Sequence, residues 1–202
     1  MASVYVLKPR FQALLRPLVR LLAHHGITAN HVTVLATLLS FLAGASITGY
    51  PAARWPLILM PLALFVRMAL NAIDGMLARE HGMKSNLGAI LNELGDVASD
   101  IALYLPLALV PGISEHWIVL IVILAIVSEM TGVLAVQIGA TRRYDGPMGK
   151  SDRAFVFGAL GLWIGIAPSL PAWAAYIMPV VAAALVLTIV NRVRRGLAEG
   201  PR

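Results

Sequence analysis

Four side chains with oxygen donors recur at helical spacing in the first half of the chain. Asn71 and Asp74 are three residues apart, and Asn92 and Asp96 are four residues apart, each pair within an apolar run. Residues at these spacings share one face of an α-helix. A short connection makes the two helices antiparallel neighbours, so the four side chains converge. Two carboxylates and two amides form a hard-oxygen cage suited to Mg²⁺, Mn²⁺ or Ca²⁺.

Hydrogen bonding between helices is the alternative role for these residues, because membrane proteins use Asn for that purpose. It would leave Asp74 and Asp96 in apolar segments with only Arg67 and Arg79 as nearby counter-ions. A charge inside a bilayer is costly unless it is paired. A metal ion or another cation therefore accounts better for the two aspartates.

A second polar group lies deeper in the apolar runs. Arg67, Asp100 and Glu129 fall near mid-bilayer when counted from the cytoplasmic ends of their helices. An arginine with two carboxylates is mutually neutralising, which favours a salt-bridged pin between the second, third and fourth helices. A role in substrate passage remains the alternative.

The elements that must position these residues are membrane helices. The chain has 202 residues, of which 59% are hydrophobic and 13% charged, whereas a soluble domain carries about 25% charged residues. A bilayer core needs about 20 helical residues, and the apolar runs predict six such helices. They cover residues 30–48, 55–79, 87–110, 116–139, 153–166 and 172–192, with Pro168 and Pro171 ending the short fifth helix. In that helix Gly158, Gly161 and Gly165 allow close helix contact, within one chain or between two.

The basic residues predict the orientation of these helices. Fourteen of the sixteen Lys and Arg residues lie in the joints on one side and in the two termini; the exceptions are Arg54 and Arg67. The positive-inside rule then places both termini in the cytoplasm. No basic stripe is interleaved with exposed aromatics, which excludes nucleic-acid binding, and the lack of cysteine excludes thiolate chemistry.

The segment before the first span predicts an interfacial amphipathic helix. Residues 8–25 place six apolar side chains on one stripe flanked by arginines, with Pro17 as a kink: Phe11, Leu14, Leu15, Leu18, Leu21 and Leu22. Such a helix lies in the headgroup layer, as a topogenic anchor or as a flap beside the polar site. The predicted organisation is a juxtamembrane helix over 1–28, a six-helix transmembrane domain over 29–195 and a short basic tail over 196–202.

The polar residues also carry a resemblance to a known family. Residues 71–96, NAIDGMLAREHGMKSNLGAILNELGD, resemble the pattern D-x-x-D-G-x-x-A-R-x8-G-x-x-x-D-x-x-x-D of the CDP-alcohol phosphotransferases. Every spacing is kept, and six of the eight fixed positions match: Asp74, Gly75, Ala78, Arg79, Gly88 and Asp96. The stretch GITANHVT before the first span is similar to the family's G-x-T-P-N-x-x-T entry.

The resemblance implies transfer of a phosphatidyl or similar group from a CDP-linked donor to an alcohol, with release of CMP, in phospholipid biosynthesis. It makes Asp74 a metal ligand, with Asn71, Asn92 and Asp96 in the other metal positions, and Asp96 the general base. It implies Mg²⁺ or Mn²⁺ as cofactor and a homodimer in a bacterial inner membrane, with the active site facing the cytoplasm. The residues it assigns to the CDP moiety are Gly75, Ala78, Arg79, Gly88, Asn30 and Thr33. The amphipathic N-terminal helix and the lipid-buried site favour CDP-diacylglycerol as the donor.

Two positions depart from the family pattern. Asn71 and Asn92 stand where the pattern has aspartate, and each substitution removes one negative charge. Fewer carboxylates weaken or reduce metal binding. Glu93 is a candidate substitute ligand, although it points about 100° away from Asn92 on the helix. We expect a metal-dependent transferase with an altered metal site.

The loop TRRYDGPMGKSDR predicts where the acceptor binds. Arg142, Arg143, Lys150 and Arg153, with the backbone N–H groups near Gly146 and Gly149, can cradle an anionic head group. The alternative is that any cytoplasmic loop of a membrane protein is basic. The order of residues favours a phosphorylated or otherwise anionic alcohol.

Two other classes of function compete with the enzyme. A catalytically impaired relative could bind a nucleotide lipid or act as a scaffold, and Asn71 and Asn92 support that hypothesis. A small transporter could use Arg67, Asp100 and Glu129 as its pathway. Transporters carry internal repeats and broken helices, and no repeat relates the halves of this sequence.

Overall fold

The computed structural model describes residues 4–167 and 171–200, with side chains from residue 9 onward. All regular structure in these residues is helical. Seven α-helices follow one another as α1 (Val4–His24), α2 (Ala29–Gly49), α3 (Trp55–Glu80), α4 (Asn86–Tyr104), α5 (Glu115–Gln137), α6 (Lys150–Ile166) and α7 (Ile177–Glu199). Two 3₁₀ segments cover Leu105–Leu109 and Ala172–Tyr176. The predicted end of the fifth span at Pro168 lies outside the described residues.

Four of the helical segments are long and apolar enough to cross a membrane, namely Ala29–Gly49, Trp55–Glu80, Glu115–Gln137 and Ala172–Glu199. Helix α4 carries three carboxylates, from Glu93, Asp96 and Asp100, and α6 has only 17 residues. These properties keep both helices outside that group. The all-α membrane class is therefore as predicted, whereas the count of six spans stays a prediction.

Local sequence signals set the helix boundaries close to the predicted ones. The Thr28 side chain accepts the backbone N–H of His31, and the His31 ring accepts the N–H of Thr28, which caps α2. Ser85 caps α4 by accepting the N–H of Gly88 at 2.9 Å. Capping by side chains satisfies the free N–H groups of a first helical turn.

Three predicted spans differ from the observed helices by three or more residues at one or both ends. The fifth was expected from residue 153, but α6 begins at Lys150. The third was expected to continue to residue 110, but α4 ends at Tyr104 and a 3₁₀ segment follows. Pro106 explains the change, because proline has no N–H to donate to the preceding turn. The last helix was expected over 172–192. It begins instead as a 3₁₀ turn after Pro171, and α7 continues to Glu199.

Small residues bring the helices into close contact. A Cβ built at Gly44 of α2 would lie 1.8 Å from the carbonyl oxygen of Ala102 on α4, so only glycine permits this approach. Gly158, Gly161 and Gly165 of α6 lie against the backbone and side chains of α3. The close contact predicted for these three glycines is thus made within the chain, and it packs the middle and the C-terminal end of α6 on α3.

Helix α1 packs one side against the helical bundle. Val19 is fully buried with Ala29, Ile73 and Leu77, and both Arg16 nitrogens Nε and Nη2 donate to the Glu80 carboxylate at 3.1 and 3.0 Å. Leu15 and Leu22 pack against the same cluster, whereas Leu14, Leu18 and Leu21 are exposed. Part of the predicted apolar stripe therefore packs on the bundle, and the rest is exposed on the surface of the protein.

Candidate active site

The first carboxylate of the predicted site lies where α2, α3 and α4 meet. Asp74 of α3 is only 3% exposed. The hydroxyl of Thr33 on α2 donates to Asp74 Oδ2 at 2.9 Å, while Oδ1 is buried and has no hydrogen-bond partner. A buried carboxylate oxygen without a donor is costly, and it is suited to receive a cation.

The second carboxylate receives two donors from other helices. Asn71 Nδ2 donates to Asp96 Oδ1 at 3.2 Å, and Lys150 Nζ donates to Asp96 Oδ2 at 2.6 Å. The predicted convergence of Asn71 and Asp96 is confirmed. Asn92 lies one turn before Asp96 on α4 and is half-buried. The link to Lys150 was not predicted, since the sequence analysis placed that residue with the acceptor loop.

The predicted metal ligands are of the type that Mg²⁺ and Mn²⁺ prefer, because all are carboxylate or amide oxygens. Across residues 4–167 and 171–200, no three His, Cys, Asp or Glu side chains are arranged to hold a metal ion. The donor set is limited to Asp74 and Asp96 with the amides of Asn71 and Asn92. Two carboxylates balance the charge of one divalent ion, so the residues fit one such ion and not a pair.

Glycines of the motif make room for polar side chains near the carboxylates. A Cβ built at Gly75 would lie 3.0 Å from both terminal nitrogens of Arg79. One built at Gly88 would lie 2.7 Å from Asn30 Oδ1. The structure thus brings together two pairs of the residues assigned to the CDP moiety. Ala78 is half-buried on the same helix as Gly75 and Arg79.

A buried ion-pair network lies deeper than the motif. Arg67 Nη1 donates to Asp100 Oδ1 at 2.7 Å. Arg153, which is 0% exposed, donates through Nη2 to Asp100 Oδ2 at 2.7 Å and to Glu129 Oε1 at 3.0 Å. Arg192 Nη1 lies 3.2 Å from Glu129 Oε2. The network joins α3, α4, α5, α6 and α7.

The predicted group of Arg67, Asp100 and Glu129 is therefore connected differently from the expectation. Arg67 pairs with Asp100, but Arg153 joins Asp100 to Glu129. Sequence reasoning placed Arg153 with the acceptor and did not include Arg192. The signal that could have found them is the charge of Glu129, which needs cations from elements packed on α5.

Arg142 is held by two carboxylates. Its Nε and Nη2 donate to the two oxygens of Glu93 at 2.8 Å each, and Nη2 also donates to Glu129 Oε2 at 2.8 Å. The guanidinium stacks over the ring of Tyr144 at 4.6 Å. Burial acts to lower the pKa of Arg142, but the hydrogen bonds to Glu93 and Glu129 outweigh it, so the pKa lies above its usual range. Glu93 thus binds Arg142, whereas the sequence analysis offered it as a substitute metal ligand.

The other loop residues contact carboxylates as well. Arg143 Nε donates to Asp145 Oδ2 at 2.8 Å, and its Nη1 pairs with Glu199 at the end of α7. Thr141 donates to the same Glu199 through its backbone N–H at 3.2 Å and its hydroxyl at 3.0 Å. Together with Lys150 and Arg153, all four basic residues assigned to the acceptor contact carboxylates of the chain itself.

Comparison with known proteins finds a matching family and a close sequence relative. The family model for CDP-alcohol phosphatidyltransferase matches residues 26–191. The inner membrane protein YnbA of Escherichia coli (strain K12) is 45% identical over 194 residues, which is 95% of each chain.

Solved structures of phosphatidylinositol phosphate synthase (PgsA1) from Mycobacterium tuberculosis share the fold. The form in complex with manganese and citrate superposes with a TM-score of 0.75 at 21% identity, covering 92% of this chain and 89% of that one. The form with CDP-DAG bound gives 0.74 at 22% identity, covering 89% and 92%. The matched family model and the relative at 45% identity establish that this chain belongs to the CDP-alcohol phosphatidyltransferase family.

Proposed function

We propose that the protein transfers a phosphatidyl group from CDP-diacylglycerol to an alcohol and releases CMP, as a step of phospholipid synthesis. The observation that carries the proposal is the placement of Asp74 and Asp96 within a family motif that keeps all its spacings. Their helices, α3 and α4, both pack on α2 instead of on each other, and the side chains of Asn71 and Asp96 meet between them. The PgsA1 structure with CDP-DAG bound supports the choice of donor, since it has the same fold.

Asp96 is the proposed general base. In the reaction the acceptor oxygen bonds to the phosphorus that carries diacylglycerol, the bond from that phosphorus to the CMP oxygen breaks, and the hydroxyl proton passes to Asp96. The carboxylate is half-buried and accepts a hydrogen bond from Lys150 Nζ at 2.6 Å, and a carboxylate positioned beside the acceptor can take the proton of its hydroxyl. Asn71 orients the same group through its hydrogen bond to Oδ1.

Asp74, Asn71, Asn92 and Asp96 would hold one Mg²⁺ or Mn²⁺ ion. A divalent ion supplies charge neutralisation for the diphosphate and its leaving group. The unpartnered Oδ1 of Asp74 supports this assignment, as does the manganese in the PgsA1 structure.

Substrate contacts follow from the residues around the carboxylates. The CDP moiety is assigned to Gly75, Ala78, Arg79, Gly88, Asn30 and Thr33, where the glycines leave space next to Arg79 and Asn30. We propose that Lys150 and Arg142 face the acceptor together with Arg143. Arg153 is fully buried between Asp100 and Glu129, and we assign it to the network instead.

We further propose six spans with both termini in the cytoplasm, which counts α4 and α6 as membrane helices. Helix α1 would lie in the headgroup layer with exposed Leu14, Leu18 and Leu21 in lipid. The relative YnbA is named an inner membrane protein, which supports the same location for this chain. The chain would comprise a juxtamembrane helix over 1–28, the transmembrane domain over 29–195 and a tail over 196–202, and would form homodimers.

A catalytically impaired relative that binds a nucleotide lipid is the second candidate. Asn71 and Asn92 favour it, because they remove two carboxylates from the metal positions. Measurement of CMP release separates the two functions.

The test is CMP release from CDP-diacylglycerol by the purified protein in lipid vesicles, with Mg²⁺ or Mn²⁺ and a panel of alcohols. We expect Asp96→Asn to lower the rate by at least about a hundredfold, since general-base catalysis contributes about 10²–10⁴. Glu115→Gln is the matched control, because Glu115 is an exposed carboxylate in the first turn of α5. A folded wild type that binds CDP-diacylglycerol but releases no CMP with any metal or alcohol would favour the impaired relative.

A further inference from the structure

The acceptor side of the site is nearly neutral although its sequence is strongly basic. The four loop cations, Arg142, Arg143, Lys150 and Arg153, contact six carboxylates. Arg67, Arg192 and Arg195 pair with members of the same six. Seven cations therefore face six carboxylates, and the excess is a single positive charge.

The donors of Arg142 are almost completely used. A guanidinium has five N–H donors, and here four hydrogen bonds go to both oxygens of Glu93, to Glu129 and to the carbonyl oxygen of Arg143. Gly132 lets the guanidinium lie against α5, because a Cβ there would be 1.9 Å from Arg142 Nη1. The two N–H groups of Arg142 that could bind a phosphate in bidentate fashion donate instead to the two oxygens of Glu93.

Three backbone donors of the loop also donate to side chains of the chain itself. The N–H of Thr141 donates to Glu199, that of Met148 to Thr188 Oγ1 at 3.0 Å, and that of Gly149 to Asp152 Oδ2 at 2.9 Å. The Gly149 amide was one of the groups expected to cradle an anionic head group. Its carboxylate partner makes such a cradle unfavourable for a phosphate.

A phosphorylated acceptor would bring about −1.5 to −2 charges into this region. The donor's diphosphate already needs positive charge, and removing one partner of a buried ion pair is costly. Binding a second phosphate would require Glu93 to leave Arg142 without a new cation of its own. A neutral hydroxyl compound needs no such exchange and can use the charged groups as hydrogen-bond partners.

We propose that the acceptor is an uncharged alcohol of the polyol class and that Glu93 excludes phosphorylated acceptors by occupying Arg142. This rests on the proposed transferase function and names the substrate class of its site. Glu93 lies three residues before Asp96 on α4. The Glu93–Arg142 pair therefore lies about one helical turn from the general base.

The first experiment compares acceptors that differ only by a phosphate, glycerol against glycerol 3-phosphate and inositol against inositol 1-phosphate. CMP release from CDP-diacylglycerol is measured in vesicles. We expect the wild type to use the uncharged member of a pair. Glu93→Gln keeps a hydrogen-bonding side chain but removes the charge, and we expect it to raise the ratio of phosphorylated to uncharged turnover by about tenfold or more. Adding Arg142→Gln to that variant should abolish the gain.

A second readout does not depend on turnover. Thermal unfolding of the purified protein is followed with and without glycerol 3-phosphate, for the wild type, Glu93→Gln and the control Glu115→Gln. Stabilisation of Glu93→Gln alone supports the proposal. Stabilisation of the wild type that is lost in Arg142→Gln overturns it, and so does the absence of any gain in Glu93→Gln.

The outcomes separate the two proposals. If the wild type prefers a phosphorylated acceptor, the transferase function stands and the neutral-acceptor proposal fails. If no acceptor gives CMP, the transferase function fails, and the unfolding measurements still decide whether Glu93 controls phosphate binding at Arg142.

Discussion

At the scale of single residues, Asp96 is notable for the number of groups that share it. Asn71, Lys150 and the nearby Arg67 all lie within 3.6 Å of its carboxylate. The family pattern has carboxylates where Asn71 and Asn92 stand, so this site carries less negative charge and contains an internal ammonium group beside Asp96. Less charge from bound metal is then needed for neutrality.

We expect the wild-type protein to bind one Mn²⁺ per chain. The double variant Asn71→Asp with Asn92→Asp should bind Mn²⁺ about tenfold more tightly or take a second ion, because affinity rises with the number of charged ligands. The measurement is electron paramagnetic resonance of free and bound Mn²⁺. Asn86→Asp is the control, since it makes one such Asn→Asp change at an exposed position of α4. Equal stoichiometry and affinity in all three proteins would contradict this account of the site.

The positions of Asp74 and Asp96 could be predicted from the sequence because helical spacing within a helix is a local property. The partners that join α4 to the loop before α6 could not, since no periodicity relates these two segments. Glu93 illustrates the difference: its direction away from Asn92 was predicted, but the Arg142 it meets there was not. Arg192 was assigned to a helix end and is in fact buried on Glu129.

At the scale of elements, the network around Glu129 holds the helices that carry the site. Arg153 lies in the first turn of α6, and it reaches α4 and α5 through Asp100 and Glu129. The glycines that pack this helix on α3 lie farther along it, from Gly158 to Gly165. Lys150 is three residues before Arg153 and is the first residue of the same helix. The ion pairs of Arg153 therefore set the position from which Lys150 meets Asp96.

Arg153→Met should destabilise the protein by about 3 kcal/mol, because it leaves buried carboxylates with fewer partners. The value lies at the low end for such pairs, since Asp100 keeps Arg67 and Glu129 keeps Arg142 and Arg192. The measurement is denaturant unfolding in detergent.

Arg195→Met serves as the control for that comparison. Arg195 pairs with Asp145 but its side chain is 67% exposed, and exposed pairs contribute about 0–1 kcal/mol. Similar losses in both variants would show that the Arg153 network does not hold the helices together.

Helix boundaries were predictable to the extent that apolar runs and caps define them, as Thr28 and Ser85 do for α2 and α4. The break after Tyr104 required weighing Pro106 against a continuous apolar run. The extension of α7 to Glu199 depends on contacts of Glu199 with Thr141 and Arg143. Such contacts between distant parts of the chain override the end of an apolar pattern.

At the scale of the whole molecule, the question is how α4 and α6 relate to the bilayer. Both pack within the bundle, α4 on α2 and α6 on α3, and both carry or adjoin the polar residues of the site. A helix can be short and charged and still cross a membrane when its polar residues face other helices. Burial of Asp100 and Arg153 meets that condition.

The cysteine-free sequence offers a direct test of the topology. Single cysteines at exposed positions in the four connections that flank α4 and α6, Lys84→Cys, Ser114→Cys, Tyr144→Cys and Ala172→Cys, are treated in intact cells with a membrane-impermeant maleimide. If α4 and α6 both cross, Ser114→Cys and Ala172→Cys react from outside, while Lys84→Cys and Tyr144→Cys react only after permeabilisation, as the positive-inside rule requires. If α4 does not cross, positions 84 and 114 flanking it react on the same side, and the same reasoning applies to α6 with positions 144 and 172. Each helix is thus tested separately, and the labelled side of position 84 decides whether the site faces the compartment that contains the nucleotide.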